Sequence, residues 1–180
     1  MKLFYDTEFI EDGKTIRLLS IGMVAADGRE LYRIVDDEET VTRAVEHPWV
    51  RANVLPHLPI TVTPTTPDRY PDWDYDDQHA DWHRIVVRAD VASDVRGFIQ
   101  ATPDAELWAW YGAYDHVALC QLFGAMVDLP EGVPMWTNDL KQEVVRLGNP
   151  TLPKQDGGEH NALADARWVR DAYASLAGQS

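Results

Sequence analysis

Residues 17–26, RLLSIGMVAA, are a nearly unbroken apolar run of strand length. A strand that is apolar on both faces needs cover on both faces of its sheet. Asp27-Gly28 follows at once as a hairpin signal, and residues 30–35 (ELYRIV) read as the returning strand. Upstream, residues 2–9 form a shorter apolar run with acidic interruptions. Glu11-Asp12-Gly13-Lys14 reads as the turn that joins it to the second run. The N-terminal third is therefore expected to be an antiparallel meander of three strands.

Asp36 or Asp37 is placed to cap a short helix over residues 38–46. Residues 47–77 then change character. Six of the chain's 11 prolines fall there, Pro48, Pro56, Pro59, Pro64, Pro67 and Pro71, which excludes a long regular helix. Trp49, Tyr70, Trp73 and Tyr75 give the segment more apolar surface than a linker needs. It reads as an ordered excursion that covers the core, a substrate groove or a partner subunit. Residues 89–100 carry Val91, Val95, Phe98 and Ile99 at helical spacing, and residues 106–111 (ELWAWY) read as an aromatic strand. Residues 115–123 read as a helix, 133–137 as a short strand, and 138–147 as a helix capped by Asn138. Residues 161–176 form a helical pattern with Ala162, Ala166, Val169, Tyr173 and Leu176 on one stripe. The expected fold is α/β, a mixed sheet flanked by helices. It is similar to the ribonuclease-H-like fold, with residues 1–180 forming a single domain.

Charge bears on function. The 180 residues hold 30 Asp and Glu against 16 Lys and Arg, a net charge of −14. Such a chain is a poor bulk binder of phosphate backbones or of anionic membranes. Either the carboxylates serve solubility, or some hold divalent metals that invert the local field. The N-terminal run meets charge at Asp6, Glu8, Glu11 and Asp12, unlike a signal peptide, and no stretch approaches the ~18 apolar residues of a membrane helix. Cys120 is the single cysteine, which excludes an internal disulfide framework and a Cys-rich zinc site. Its default role is core, and a lone thiol agrees with the cytoplasmic location expected here.

The acidic residues are not equivalent. Asp6 and Glu8 stand at i and i+2, so both carboxylates project from one face of a strand. Paired hard oxygen donors suit Mg²⁺ or Mn²⁺. Asp36/Glu38, Asp37/Glu39 and Asp104/Glu106 share that spacing, but they fall in loops or at helix starts where solvation explains them. Asp6 and Glu8 instead interrupt an apolar strand, where a carboxylate is costly unless paired or metal-bound. Two readings stay open for Asp115: the N-cap of its helix, or a third carboxylate at a neighbouring strand end. In Tyr111-Gly112-Ala113-Tyr114-Asp115, Gly112 would let another chain approach the backbone. His160 follows the loop Asp156-Gly157-Gly158-Glu159, and of six histidines it alone has an Asp five residues on, Asp165. It is either a surface histidine beside the cap Asn161 or a general base next to fixed carboxylates.

In order along the chain these give Asp-x-Glu, Tyr-Asp and His-x₄-Asp. The pattern resembles the DEDDh family of 3′–5′ exonucleases from residue 6 to residue 165. Within it, the strings DTEF and HNALADA are closest to the ribonuclease AS type, exoribonucleases associated with adenylate-rich 3′ ends. The resemblance implies a two-metal site, Mg²⁺ with Mn²⁺ able to substitute, held by Asp6, Glu8, Asp115 and Asp165. Asp6 would bridge the two ions, Asp115 would act through water, and His160 would deprotonate the attacking water. The substrate would be the 3′ end of RNA, single-stranded or an overhang, released as 5′-mononucleotides. Thr7, Glu8 and Phe9, with Gly112, would contact the substrate, Phe9 being open to base stacking or to core packing. A homodimer is implied as well. Arg17, Arg146 and Lys154 are candidates to line the strand path, whereas Trp108, Trp110, Trp136 and Trp168 are expected in the core. A DNA exonuclease would use the same five residues. An acidic binding module would leave the histidine spacing unexplained, and a phosphatase-like enzyme would need another nucleophile or a histidine-rich ligand set.

Overall fold

A computed structural model of the chain describes residues 1–63 and 71–176. Pro64, Pro67 and Tyr70 of the proline-rich excursion lie outside the described residues. The meander forms as read: β1 (Lys2–Glu11), β2 (Ile16–Ala25) and β3 (Glu30–Val35) are antiparallel neighbours. Gly28 in the β2–β3 turn has φ +92°, a conformation that costs glycine nothing. Helix α1 (Glu38–Glu46) starts at Asp37, whose side chain accepts the N–H of Thr40. The excursion supplies α2 (Pro48–Asn53), a 3₁₀ turn at Leu55–His57, and a separate antiparallel pair, β4 (Ile60–Thr63) with β5 (Asp72–Tyr75). Then come β6 (Ile85–Val86), α3 (Arg88–Gln100), β7 (Glu106–Ala109), α4 (Ala113–Cys120), β8 (Asn138–Asp139), α5 (Leu140–Arg146) and α6 (Ala162–Leu176).

The main sheet has the order β6-β3-β2-β1-β7-β8, so β1 sits inside it with β7 and β8 parallel to it. This is the mixed α/β sandwich the sequence predicts. One face packs Leu3, Tyr5, Ile21, Met23 and Leu107 against Val91, Val95 and Ile99 of α3 and Leu119 of α4. The other packs Leu19, Val24, Tyr32 and Ile34 against α1, α2 and the start of α6. Phe4 joins Leu140, Val144, Val169 and Leu176 in a third cluster under α5 and α6. The excursion thus covers the core. Val50, Val54, Leu55, Leu58 and Ile60 are buried, and Trp73 Nε1 donates to Thr42 Oγ1 of α1 at 3.1 Å.

Four expectations shift. The aromatic strand ends at Ala109, because Tyr111 is left-handed (φ +55°) and turns the chain away from β1. Residues 133–137 are not a strand; only Asn138–Asp139 pair, next to Trp108 and Ala109. Asn138 does not cap α5: its carboxamide donates to Leu107 O, and Asp139 accepts the N–H of Lys141. Trp136 is no core residue, being 63% exposed.

Candidate active site

The alternation of β1 decides where each polar side chain goes. Leu3 and Tyr5 serve the α3–α4 face, whereas Phe4 serves the α6 face. Continuing that period, Asp6 and Glu8 share the α6 face and Thr7 the α4 face. Pairing of β1 with β7 stops at Phe4. Beyond it Thr7 is met by Asp115, which accepts both the Thr7 N–H (2.9 Å) and the Thr7 hydroxyl (2.6 Å). Asp115 lies in the first turn of α4, whose N-cap is Gly112, so the capping reading of Asp115 does not hold.

Helix α6 comes unusually close to the sheet. A Cβ on Gly22, the β2 partner of Asp6, would collide with backbone atoms of Ala162 and Leu163. Asn161 caps α6 by accepting the N–H of Ala164. The loop before it is left-handed at Gly157, Gly158 and His160 (φ +66°), and the His160 N–H donates to Asp165 Oδ2 at 2.9 Å. Gln155 Nε2 donates to the other oxygen, Oδ1, at 2.5 Å. Ligand atoms of Glu8, His160 and Asp165 lie within 4.8 Å of one another, the one such group among the described residues.

A cavity of about 600 Å³ opens over these groups. It is lined by Asp6, Glu8, Asp115, Glu159 and Asp165 with His160, and by aromatic walls that include Phe9, Trp110, Tyr114 and Trp168. Among the described residues no Lys or Arg lines it. Arg17, which pairs with Glu39, Arg146, which pairs with Glu143, and Lys154 are not among the residues that line it. The unbalanced negative charge appears in the acidities. Burial, then repulsion from Asp115, Glu8 and Asp165, holds the Asp6 carboxyl well above the usual range. Glu8 is pushed up to about 8 by burial and by the charges of Asp165 and Asp115. Burial raises Asp115 to about 6 against the opposing pull of the Thr7 hydrogen bonds. Asp165 is raised by burial, in part offset by Gln155 and the His160 N–H.

The structure therefore brings Asp6, Glu8, Asp115, His160 and Asp165 to one cavity. Over residues 1–176 the chain matches the family described as the 3′–5′ exoribonuclease Rv2179c-like domain. The chain belongs to that family. It is similar to the 3′–5′ exoribonuclease Rv2179c of Mycobacterium tuberculosis strain ATCC 25618/H37Rv and to the 3′–5′ exoribonuclease MT2234.1 of strain CDC 1551/Oshkosh. Each is 47% identical over 168 residues, covering 93% of this chain and 88% of the relative.

The remaining site expectations divide. Thr7 and Phe9 line the cavity, though both donors of Thr7 are taken by Asp115. Phe9 is half-buried and parallel to Tyr114, ring centroids 6.0 Å apart, so it is a cavity wall rather than core. Gly112 corrects the reading of an open approach: it is buried, outside the cavity lining, and a Cβ there would sit 2.8 Å from Ala109 Cβ. Its smallness serves the protein's own packing. Trp110 and Trp168 pack on the third cluster and also line the cavity. His79 and His83 have the i, i+4 spacing of a histidine ligand pair. Their segment leads into a 3₁₀ helix, Trp82–Arg84, and His79 Nδ1 accepts the N–H of Asp81. Sequence reasoning missed Gln155, Glu159 and Tyr114, and did not use Gly22, where a glycine inside an apolar strand signals close backbone approach.

Proposed function

We propose that the protein is a metal-dependent 3′–5′ exoribonuclease of the DEDDh type that removes 5′-mononucleotides from RNA 3′ ends. The observation that carries the reading is the convergence of Glu8, His160 and Asp165 beside Asp6 and Asp115, in a cavity that no Lys or Arg among the described residues lines, in a member of this family.

The donor set fits divalent cations: four carboxylates, all-oxygen and hard, with every one raised in pKa. Asp6, Glu8 and Asp165 would hold one Mg²⁺ or Mn²⁺, and Asp6 with Asp115 would hold a second. Bound there, the ions would neutralise the developing charge and draw the phosphate to a cavity that otherwise repels it. His160 accepts the proton of the attacking water. Thr7 fixes Asp115 at the orientation its role requires. Gln155 and the His160 amide do the same for Asp165. Phe9 and Tyr114 offer flat apolar faces to the terminal bases.

The RNA strand enters single-stranded or as an overhang, with adenylate preferred as in the ribonuclease AS type. Residues 1–180 act as a single domain, in a homodimer, in the cytoplasm. Among the described residues no helix is long and apolar enough to cross a membrane. The test uses 5′-labelled RNA and DNA of matched sequence, with A-rich and A-free 3′ ends. Stepwise 3′ shortening of RNA, abolished by EDTA and by Asp6→Ala, is the expected result. Equal shortening of DNA would move the reading to a DNA exonuclease, and no metal-dependent cleavage of either would end it. Sedimentation at micromolar concentration tests the dimer.

A further inference from the structure

A group that takes a proton from water works only at the correct angle, so something must hold its ring. The main chain of His160 is fixed by its N–H to Asp165. The ring is different: among the described residues, neither ring nitrogen has a hydrogen-bond partner. Histidines that act as bases commonly have their second nitrogen oriented by a carboxylate or carbonyl. Besides the nearby carboxylates of Glu8 and Asp165, the imidazole packs on the indole of Trp49, with ring centroids 5.0 Å apart and planes at 79°. Edge-to-face is an arrangement that aromatic quadrupoles favour.

Trp49 has no evident duty in the fold. It is 53% exposed, whereas Val50 and Val54 beside it carry the burial of α2. Its platform is firm: His47 caps α2, Pro48 occupies the first turn, and Arg51 donates to Val45 O at 2.6 Å. A large apolar ring held rigidly in half-exposed position needs a reason when it packs against an imidazole that stands near the Glu8 and Asp165 carboxylates without a hydrogen bond to either.

We propose that Trp49 is a positioning residue that sets the orientation of the His160 ring by packing in place of a hydrogen bond. The inference rests on the reading of His160 as the base. It gives the proline-rich excursion a second duty: α2 covers the core with one face and steadies the site with the other.

The experiment compares wild type, Trp49→Ala, Trp49→Phe, His160→Ala and the Trp49→Ala/His160→Ala pair on labelled RNA with Mg²⁺. Trp49→Ala should lower kcat by about 5- to 10-fold, the size of an aromatic pair, with KM changed by less than about twofold. Trp49→Phe should recover most of the rate. In the His160→Ala background, Trp49→Ala should cost nothing further. A second readout needs no activity: in metal-free protein the His160 Cε1–H resonance should shift in Trp49→Ala as the indole ring current is lost. A loss carried by KM, or an undiminished loss in the His160→Ala background, would make Trp49 a substrate contact and overturn the proposal. An unmoved His160 resonance would overturn it too. Failure of the wild type to cleave RNA would instead overturn the proposed function, while the resonance would still decide the contact.

Discussion

The raised pKa of Glu8 should make the metal-free protein less stable as pH rises and the carboxyl loses its proton, contrary to the usual behaviour of carboxylates. Its carboxyl is pushed up to about 8 from an ordinary 4.5. Between those values the folded state holds a proton that the unfolded chain has released, so stability falls with increasing pH. The stabilisation is complete below about pH 4.5 and gone above about pH 8. At about 1.4 kcal/mol per pH unit this amounts to on the order of 5 kcal/mol. For a chain of this size that is roughly 10–20 °C in Tm. Asp115, raised to about 6, adds a slope of the same sign over the lower half of the window, and Asp6 and Asp165 act in the same direction. Carboxylates with lowered values, such as Glu30 beside Arg167, lose their contribution as pH falls below about 4.5, so the two effects separate. The assay is thermal melting of EDTA-treated protein from pH 4.5 to 8.5, with Glu8→Gln alongside. Glu8→Gln should flatten the slope, and Mg²⁺ at pH 8 should restore the lost Tm in the wild type. A wild-type Tm that is constant or rising from pH 5 to 8, or an unchanged slope in Glu8→Gln, would refute the reasoning.

Other outcomes follow from single contacts. Gly22→Ala puts a methyl group into the backbone of Ala162 and Leu163; it should cost at least about 1–3 kcal/mol in urea unfolding and lower activity by displacing His160 and Asp165 together. Gln155→Ala frees one oxygen of Asp165, and the Mg²⁺ concentration for half-maximal activity should rise about 10- to 100-fold with little change in Tm. Thr7→Val keeps the shape but removes the 2.6 Å donor to Asp115, for about 1–2 kcal/mol of stability. The Asp115 carboxyl should then titrate above its present value of about 6, moving the acid limb of the rate profile to higher pH; an unmoved limb would show that the backbone N–H alone governs it.

Much of this arrangement is written locally. Asp27-Gly28 specifies the hairpin because the turn needs a positive φ, and Gly28 supplies it. Glu38–Glu46 is bounded by its own cap, Asp37, so its limits can be read from neighbours in the chain. Asp6 and Glu8 stand out because charge interrupts an apolar strand. What stays hidden depends on distant partners. Nothing near Gln155 says that it will meet Asp165, and nothing near Trp49 names His160. The aromatic string ELWAWY reads as strand to its end by propensity, yet Asp139 accepts the Tyr111 N–H at 3.3 Å and the chain leaves the sheet. Gly112 reads as an opening for a ligand, and only the packed positions of Ala109 and Thr137 reveal that the space is already filled.

The early end of the β1–β7 pairing has a consequence for association as well as chemistry. Past Phe4 the rim of β1 that faces away from β2 has no partner strand among the described residues, and such a bare rim invites another chain to add itself. Asp115 occupies it with an ionisable group bound to the Thr7 amide. The carboxylate that completes the cavity thus also occupies a backbone donor of the strand rim, and truncating its side chain would bare that donor as well as disarm the site.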